Sequence, residues 1–228
     1  MKKTLIFFLV SSLLPALIFA QVQVSDDYEK IAPFEKRHQA GARLGVWLNQ
    51  GDEPLGRDSS NVFYKTDIGN NNFYFEGFGA YRLNSRIMLE VTLGFVNRGN
   101  VTVFDGVDSY VGNLVVYSML AHVKLYPLPR LFGRFYPYLT AGGGLYYGRH
   151  DVQFTTNYDF FRVFDEKSGT DFNYALGGGI DWPLSSVFGL DLNVKYMPIT
   201  LSKELVEITD FDALSVSVGV KYLFNTGK

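Results

Sequence analysis

The sequence predicts an all-β fold, a transmembrane antiparallel up-and-down β-barrel of about eight strands. Three observations predict it. The chain opens with an export leader, no later apolar run is long enough to form a spanning helix, and apolar and polar residues alternate strictly through one segment after another.

In the leader, Lys2 and Lys3 form a positive start, Leu5 to Val10 and Leu13 to Phe19 form an apolar run, and Ala20 supplies a small residue before Gln21. Ser11, Ser12 and Pro15 interrupt the run, which falls short of the ~20 residues a spanning helix needs. A cleavable signal peptide over 1–20 is therefore expected. Gln21 to Gln39 is polar, with Asp26, Asp27, Glu29, Lys30, Glu35, Lys36 and Arg37. It is expected to form a weakly ordered periplasmic lead over 21–39, leaving 40–228 as one barrel domain.

There is no cysteine, so disulfides, thiolate metal sites and an N-terminal lipid anchor are excluded. Cleavage removes two lysines and no acid from a chain of 21 basic and 23 acidic residues. The mature chain is mildly acidic, the wrong sign for nucleic-acid binding. Aromatics make up 16% of the chain, with 20 Phe and 15 Tyr.

The clearest alternation runs from Arg86 to Val96. Ile87, Leu89, Val91, Leu93 and Phe95 share one face; Arg86, Met88, Glu90, Thr92 and Gly94 share the other. One face must meet something apolar. The last strand repeats the pattern, with Val216, Val218, Val220, Tyr222 and Phe224 opposed to Ser215, Ser217, Gly219 and Lys221. Comparable outward sets are Ala42, Leu44, Val46, Leu48; then Val115, Tyr117, Met119, Ala121, Val123, Leu125; then Leu139, Ala141, Leu145, Tyr147. Phe172, Tyr174, Leu176, Ile180, Trp182 and Phe188, Leu190, Leu192, Val194, Tyr196 complete the series. The segment Asn72 to Leu83 is mixed, because Tyr74 and Phe78 fall on the face of Glu76 and Arg82.

In lipid every backbone amide must pair within the protein, so such a ribbon must close on itself. Short connections are expected at Asn84 to Arg86, Pro127 to Arg134 and Pro183 to Val187. Long ones are expected at Gly51 to Asn70, Arg98 to Val111, His150 to Thr170 and Ile199 to Asp212. Short turns mark the periplasmic side of bacterial barrels, so both termini are expected there.

Phe135 to Tyr147, Asn173 to Asp181 and the closing Ser217 to Phe224 resemble the small OmpA-like and OmpX-like outer-membrane β-barrels over most of the mature chain. The final segment, with Ser217 and Gly219 followed by Tyr222 and Phe224, is similar to the insertion signal that such barrels present to the assembly machinery; here Asn225 to Lys228 follow it. The resemblance covers the barrel alone and implies no peptidoglycan-binding domain. Outer-membrane lipids, including lipopolysaccharide, are the partners it implies.

Face assignment puts Arg43, Glu76, Arg82, Arg86, Glu90, His122, Lys124, Asp181, Asp191, Lys195 and Lys221 inside. Charges at membrane depth raise the question of a pore or proton relay. Both signs are interleaved, however, and eight strands leave an interior that side chains fill, so an ion-paired plug is expected. The glycine runs Gly142 to Gly144 and Gly177 to Gly179 lack the following helix of a phosphate loop, and fit bends in a tight barrel.

For catalysis, His150 and Asp151 at the outer rim with Ser168 form the one candidate constellation, with no supporting motif around it. His38 falls in the expected lead and His122 in the expected interior. In the long connections acidic residues outnumber basic ones more than two to one, without calcium-loop spacing. Tyr158, Phe160, Phe161 and Phe164 form an apolar cluster that suggests a contact surface. The sequence thus predicts a monomeric, non-enzymatic outer-membrane barrel with a plugged interior, no cofactor or metal, and a structural or surface-interaction role through its loops. A passage for ions or hydrophobic solutes is the second reading, and a lipid-modifying enzyme the third.

Overall fold

In the computed structural model the described residues are 38–51, 63–66, 71–105, 108–128, 135–155, 164–205 and 208–225. The expected signal peptide, nearly all of the expected lead, and Tyr158, Phe160 and Phe161 lie outside them.

The strands are β1 (His38–Asn49), β2 (Phe63–Thr66), β3 (Asn71–Arg82), β4 (Ile87–Asp105), β5 (Asp108–Leu125), β6 (Tyr136–Thr155), β7 (Phe164–Pro183), β8 (Phe188–Met197), β9 (Thr200–Leu205), β10 (Ile208–Asp210) and β11 (Ala213–Phe224). Eight of these, β1, β3 to β8 and β11, form a closed antiparallel ring in which β11 pairs with β1 from Ala213↔Asn49 to Phe224↔His38. Closure removes the sheet edge that lipid would leave unpaired. β2 pairs with the far end of β4, and β9 with β10 forms a separate hairpin.

The outer wall is the apolar set. Leu44, Leu93, Met119, Leu145, Tyr174, Leu192 and Val218 all point away from the interior and are exposed. Aromatics band this wall at two levels. Phe95, Tyr117 and Tyr147 lie side by side toward the long connections, with ring centroids 5.3 and 6.1 Å apart. At the turn end Phe188 meets Tyr222, which stacks on Phe224 at 5.8 Å, and His38 stacks on Phe224 at 5.4 Å. Such girdles mark the two interfaces of a bilayer.

The short turns follow from side chains that substitute for backbone partners. Asn84 Oδ1 accepts the amides of Arg86 and Ile87, each at 2.8 Å; Ser185 Oγ accepts those of Val187 and Phe188 at 3.2 and 3.0 Å.

Several sequence expectations change. His38 belongs to β1 and to the turn-end girdle rather than to the lead. The expected loops Arg98 to Val111 and His150 to Thr170 are largely strand, because β4 with β5 and β6 with β7 continue their ladders beyond the length a bilayer requires. Phe164 opens β7, opposite Gln153. Val115, expected outside, is buried between Asn97 and Arg149 of the neighbouring strands.

Candidate functional site

The interior is the candidate site, and it has two layers of different chemistry. Toward the turns lies a charged layer. Arg43 on β1 stands at its centre, fully buried, with three carboxylates around one guanidinium. Its Nε donates to Asp191 Oδ1 at 2.9 Å, one terminal nitrogen donates to Glu76, and the other donates to Glu90 Oε2 at 2.7 Å. Lys124 Nζ lies 2.7 Å from Glu90 Oε2 and 3.2 Å from Asp191 Oδ2, and Lys195 pairs with Glu76. Lys221 Nζ lies 2.6 Å from Asp181 Oδ1.

Tyrosines supply further donors to these anions. Tyr74 donates to Glu76 at 2.8 Å, Tyr126 to Asp181 at 2.6 Å and Tyr138 to Asp191 at 3.1 Å, while Asn193 Nδ2 donates to the Tyr138 hydroxyl at 2.8 Å. The guanidinium of Arg43 also lies 3.9 Å from the Phe78 ring centroid. This explains the mixed segment Asn72 to Leu83. Tyr74 and Phe78 are inside because the charges need an aromatic donor and an aromatic face.

Glycines on neighbouring strands make room for these long side chains. A Cβ on Gly179 would stand 2.5 Å from the Tyr138 hydroxyl, and one on Gly219 would stand 2.6 Å from Arg43 Cγ. Close approach therefore accounts for part of the Gly177 to Gly179 run that the sequence assigned to bending.

Of the residues assigned to the interior, Arg43, Glu76, Arg82, Glu90, His122, Lys124, Asp181, Asp191, Lys195 and Lys221 are buried. Arg82 caps the turn end, its guanidinium 4.9 Å from the Tyr126 ring and 3.2 Å from the Ser85 carbonyl oxygen. His122 faces Thr92, 3.4 Å away, above the charges. Arg86 is the exception. It shares the inward parity, but β4 begins at Ile87, and Arg86 sits exposed in the turn.

Toward the long connections the interior becomes apolar. Trp47, Tyr74, Leu114, Val116, Tyr146, Leu201, Leu205, Ile208 and Phe211 form one buried cluster. The β9–β10 hairpin contributes to it from above: Leu201 and Leu205 reach the place where a Gly148 side chain would stand. The hairpin is tied down by Ser202 N to Asp171 Oδ2 at 2.7 Å and by Phe211 N to the Ile199 carbonyl at 2.7 Å. Asp212 accepts from Tyr196 and from the Ile199 amide, each at 2.9 Å. Burial holds its carboxyl above the ordinary aspartate range. Arg98 of β4 lies in this layer, fully buried; the sequence had placed it at the start of a loop.

The rim constellation is not assembled. His150 points inward over Gly112, whereas Asp151 points outward and accepts from Arg149 Nε at 2.6 Å. Consecutive strand residues face opposite ways, and Ser168 pairs with Arg149, on the face that His150 does not share.

The outer-membrane protein β-barrel domain family matches residues 12–224. The chain belongs to that family. Among solved structures, this outer-membrane barrel resembles neisserial surface protein A, with 13% identity over 82% of this chain and 96% of that one, at a TM-score of 0.50. It is also similar to OprG of Pseudomonas aeruginosa (13% identity, 84% and 97% covered, TM-score 0.48) and to Ail, the attachment invasion locus protein of Yersinia pestis (17%, 83% and 99%, 0.46). At these identities the likeness concerns the fold. A search of curated proteins finds no match.

Proposed function

We propose that this outer-membrane barrel is a non-conducting, non-enzymatic, monomeric protein that serves envelope structure or surface interaction, with its charged layer acting as a permanent plug. The observation that supports this reading is the mutual pairing of eight charges in that layer. Arg43, Lys124, Lys195 and Lys221 are matched by Glu76, Glu90, Asp181 and Asp191, all buried and all paired. A paired network in a low-dielectric interior resists opening, because separating one pair strands a buried charge at about 3–5 kcal/mol.

In this reading 1–20 is a cleaved signal, 21–37 is a periplasmic lead, and both termini are periplasmic. The lipid partners, lipopolysaccharide among them, contact the exposed apolar wall. Ser217 and Gly219 turn inward while Tyr222 and Phe224 line the turn-end girdle; as the insertion signal, they engage the assembly machinery during export. The long connections and the strand ends beside them carry any surface contact, with Tyr158, Phe160, Phe161 and, at the start of β7, Phe164 as its apolar part.

Planar-bilayer recording of the purified, refolded protein tests the plug. No discrete current steps are expected at neutral pH. Reproducible unitary steps would replace this reading with a passage for ions or small solutes.

A further inference from the structure

In the upper, apolar layer one buried charge stands without an ion pair among the described residues. Arg98 is fully buried, and none of its three guanidinium nitrogens has a hydrogen-bond partner among the described residues. The Phe211 ring centroid lies 5.8 Å from its guanidinium carbon. A β-bulge sets this side chain apart. Between Asn97 and Gly99 the ladder to β5 slips by one residue, Gly99 takes a φ of 115°, and its amide is capped by Asn97 Oδ1 at 2.9 Å. Arg98 is the residue the slip leaves without a partner on β5. Bulges of this kind re-aim side chains and recur beside binding sites.

Two more donors in the same layer are unpartnered among the described residues: Trp47 Nε1 and the Tyr146 hydroxyl. Asn72 opposes Trp47 on β1 and donates its amide to the Arg98 carbonyl at 3.1 Å, which places Trp47 and Arg98 on either side of β3 at one level. The buried cluster of this layer, with Leu114, Leu201, Leu205 and Phe211, is apolar. A desolvated guanidinium with no counter-charge is costly, and among the described residues no acid pairs with Arg98.

We propose that Arg98 is the head-group receptor of an internal site for a monocarboxylate bearing a hydrocarbon chain. The planar fork of a guanidinium matches a carboxylate in two parallel hydrogen bonds, and one positive charge is neutralised by one negative charge. Trp47 Nε1 and the Tyr146 hydroxyl supply the remaining donors, and the Leu and Phe walls take the chain. Entry requires the β9–β10 hairpin to lift. Its ties to β7 are exposed hydrogen bonds, Ser202 to Asp171 and Asn173 Nδ2 to the Thr200 carbonyl at 3.3 Å.

The test uses the full chain in lipid nanodiscs with Trp182→Phe, which leaves Trp47 as the single tryptophan. Octanoate is titrated while Trp47 emission is followed, with octanol and inorganic phosphate as comparators. A saturable octanoate response is expected, neither matched by octanol nor displaced by equimolar phosphate. In Arg98→Met and in Arg98→Gln the half-saturating concentration should rise at least about ten-fold. Without ligand, Arg98→Met should unfold at a higher temperature than its parent, because it loses an uncompensated charge. Equal octanoate affinity in Arg98→Met overturns the proposal, as does equal competition by octanol or phosphate. A lower unfolding temperature, or failure of Arg98→Met to show the heat-dependent gel shift of a folded barrel, also overturns it, since either outcome means that the chain itself supplies the counter-charge.

Discussion

Arg43 and Arg98 are both fully buried in one barrel, yet their surroundings are opposite. Arg43 is gripped by Glu76, Glu90 and Asp191, whose second positive partners are Lys195 and Lys124. Arg98 has the Phe211 ring 5.8 Å away and no hydrogen-bond partner among the described residues. The difference teaches that this interior is two materials in series. The lower one is a network of buried ion pairs, and the upper one is an apolar filling around a guanidinium with no partner among the described residues.

The largest effect should come from the ionic half. Arg43→Met leaves three carboxylates sharing two lysines and should lower unfolding stability by about 3–5 kcal/mol, read from urea titration in micelles. A loss below ~1 kcal/mol would show that the layer is wet. Next in size is the outer wall. Val218, 56% exposed, faces lipid, so Val218→Arg should cost about 2–4 kcal/mol of membrane stability. Val218→Ala should cost far less, and equal losses would contradict the facing.

Smaller still is crowding of the charged layer. Gly179→Val pushes a side chain onto the Leu192 carbonyl oxygen and the Tyr138 ring and should cost about 1–3 kcal/mol in the same urea titration. The smallest effect belongs to the rim. Arg149 and Asp151 are paired at 2.6 Å with side chains 43% and 42% exposed, so Arg149→Ala should cost less than about 1 kcal/mol and should cost nothing at high salt.

The eight-stranded ring was legible because the bilayer imposes a period of two on every segment it touches, as Leu89, Val91 and Leu93 against Glu90 and Thr92 illustrate. Inward charges were legible for the same reason, down to Lys221. Arg86 misled because parity says which way a residue would point and is silent on whether the strand has begun. Beyond the bilayer the pattern fades: the upper parts of β6 and β7 still pair, but no lipid demands apolar residues outside, so those strands read as loop. Arg98 continues the parity of Glu90, Thr92, Gly94 and Val96 and was open to the same inference, but the bulge at Gly99 ended the visible alternation there. The donor roles of Tyr74, Tyr126 and Tyr138 were hidden because parity can put a tyrosine on the face of the charges, as it does Tyr74 beside Glu76, but is silent on which anion its hydroxyl meets.

Because the chain has no cysteine, single substitutions can be labelled uniquely along β11. Nitroxide labels at each position from Ser215 to Lys221 would be compared for access to oxygen, which concentrates in lipid, and to a water-soluble nickel chelate. Labels at 216, 218 and 220 should be open to oxygen, while those at 215, 217 and 219 should be closed to both. Nickel access at the inward positions, or the absence of alternation, would contradict a solid, ion-paired barrel interior.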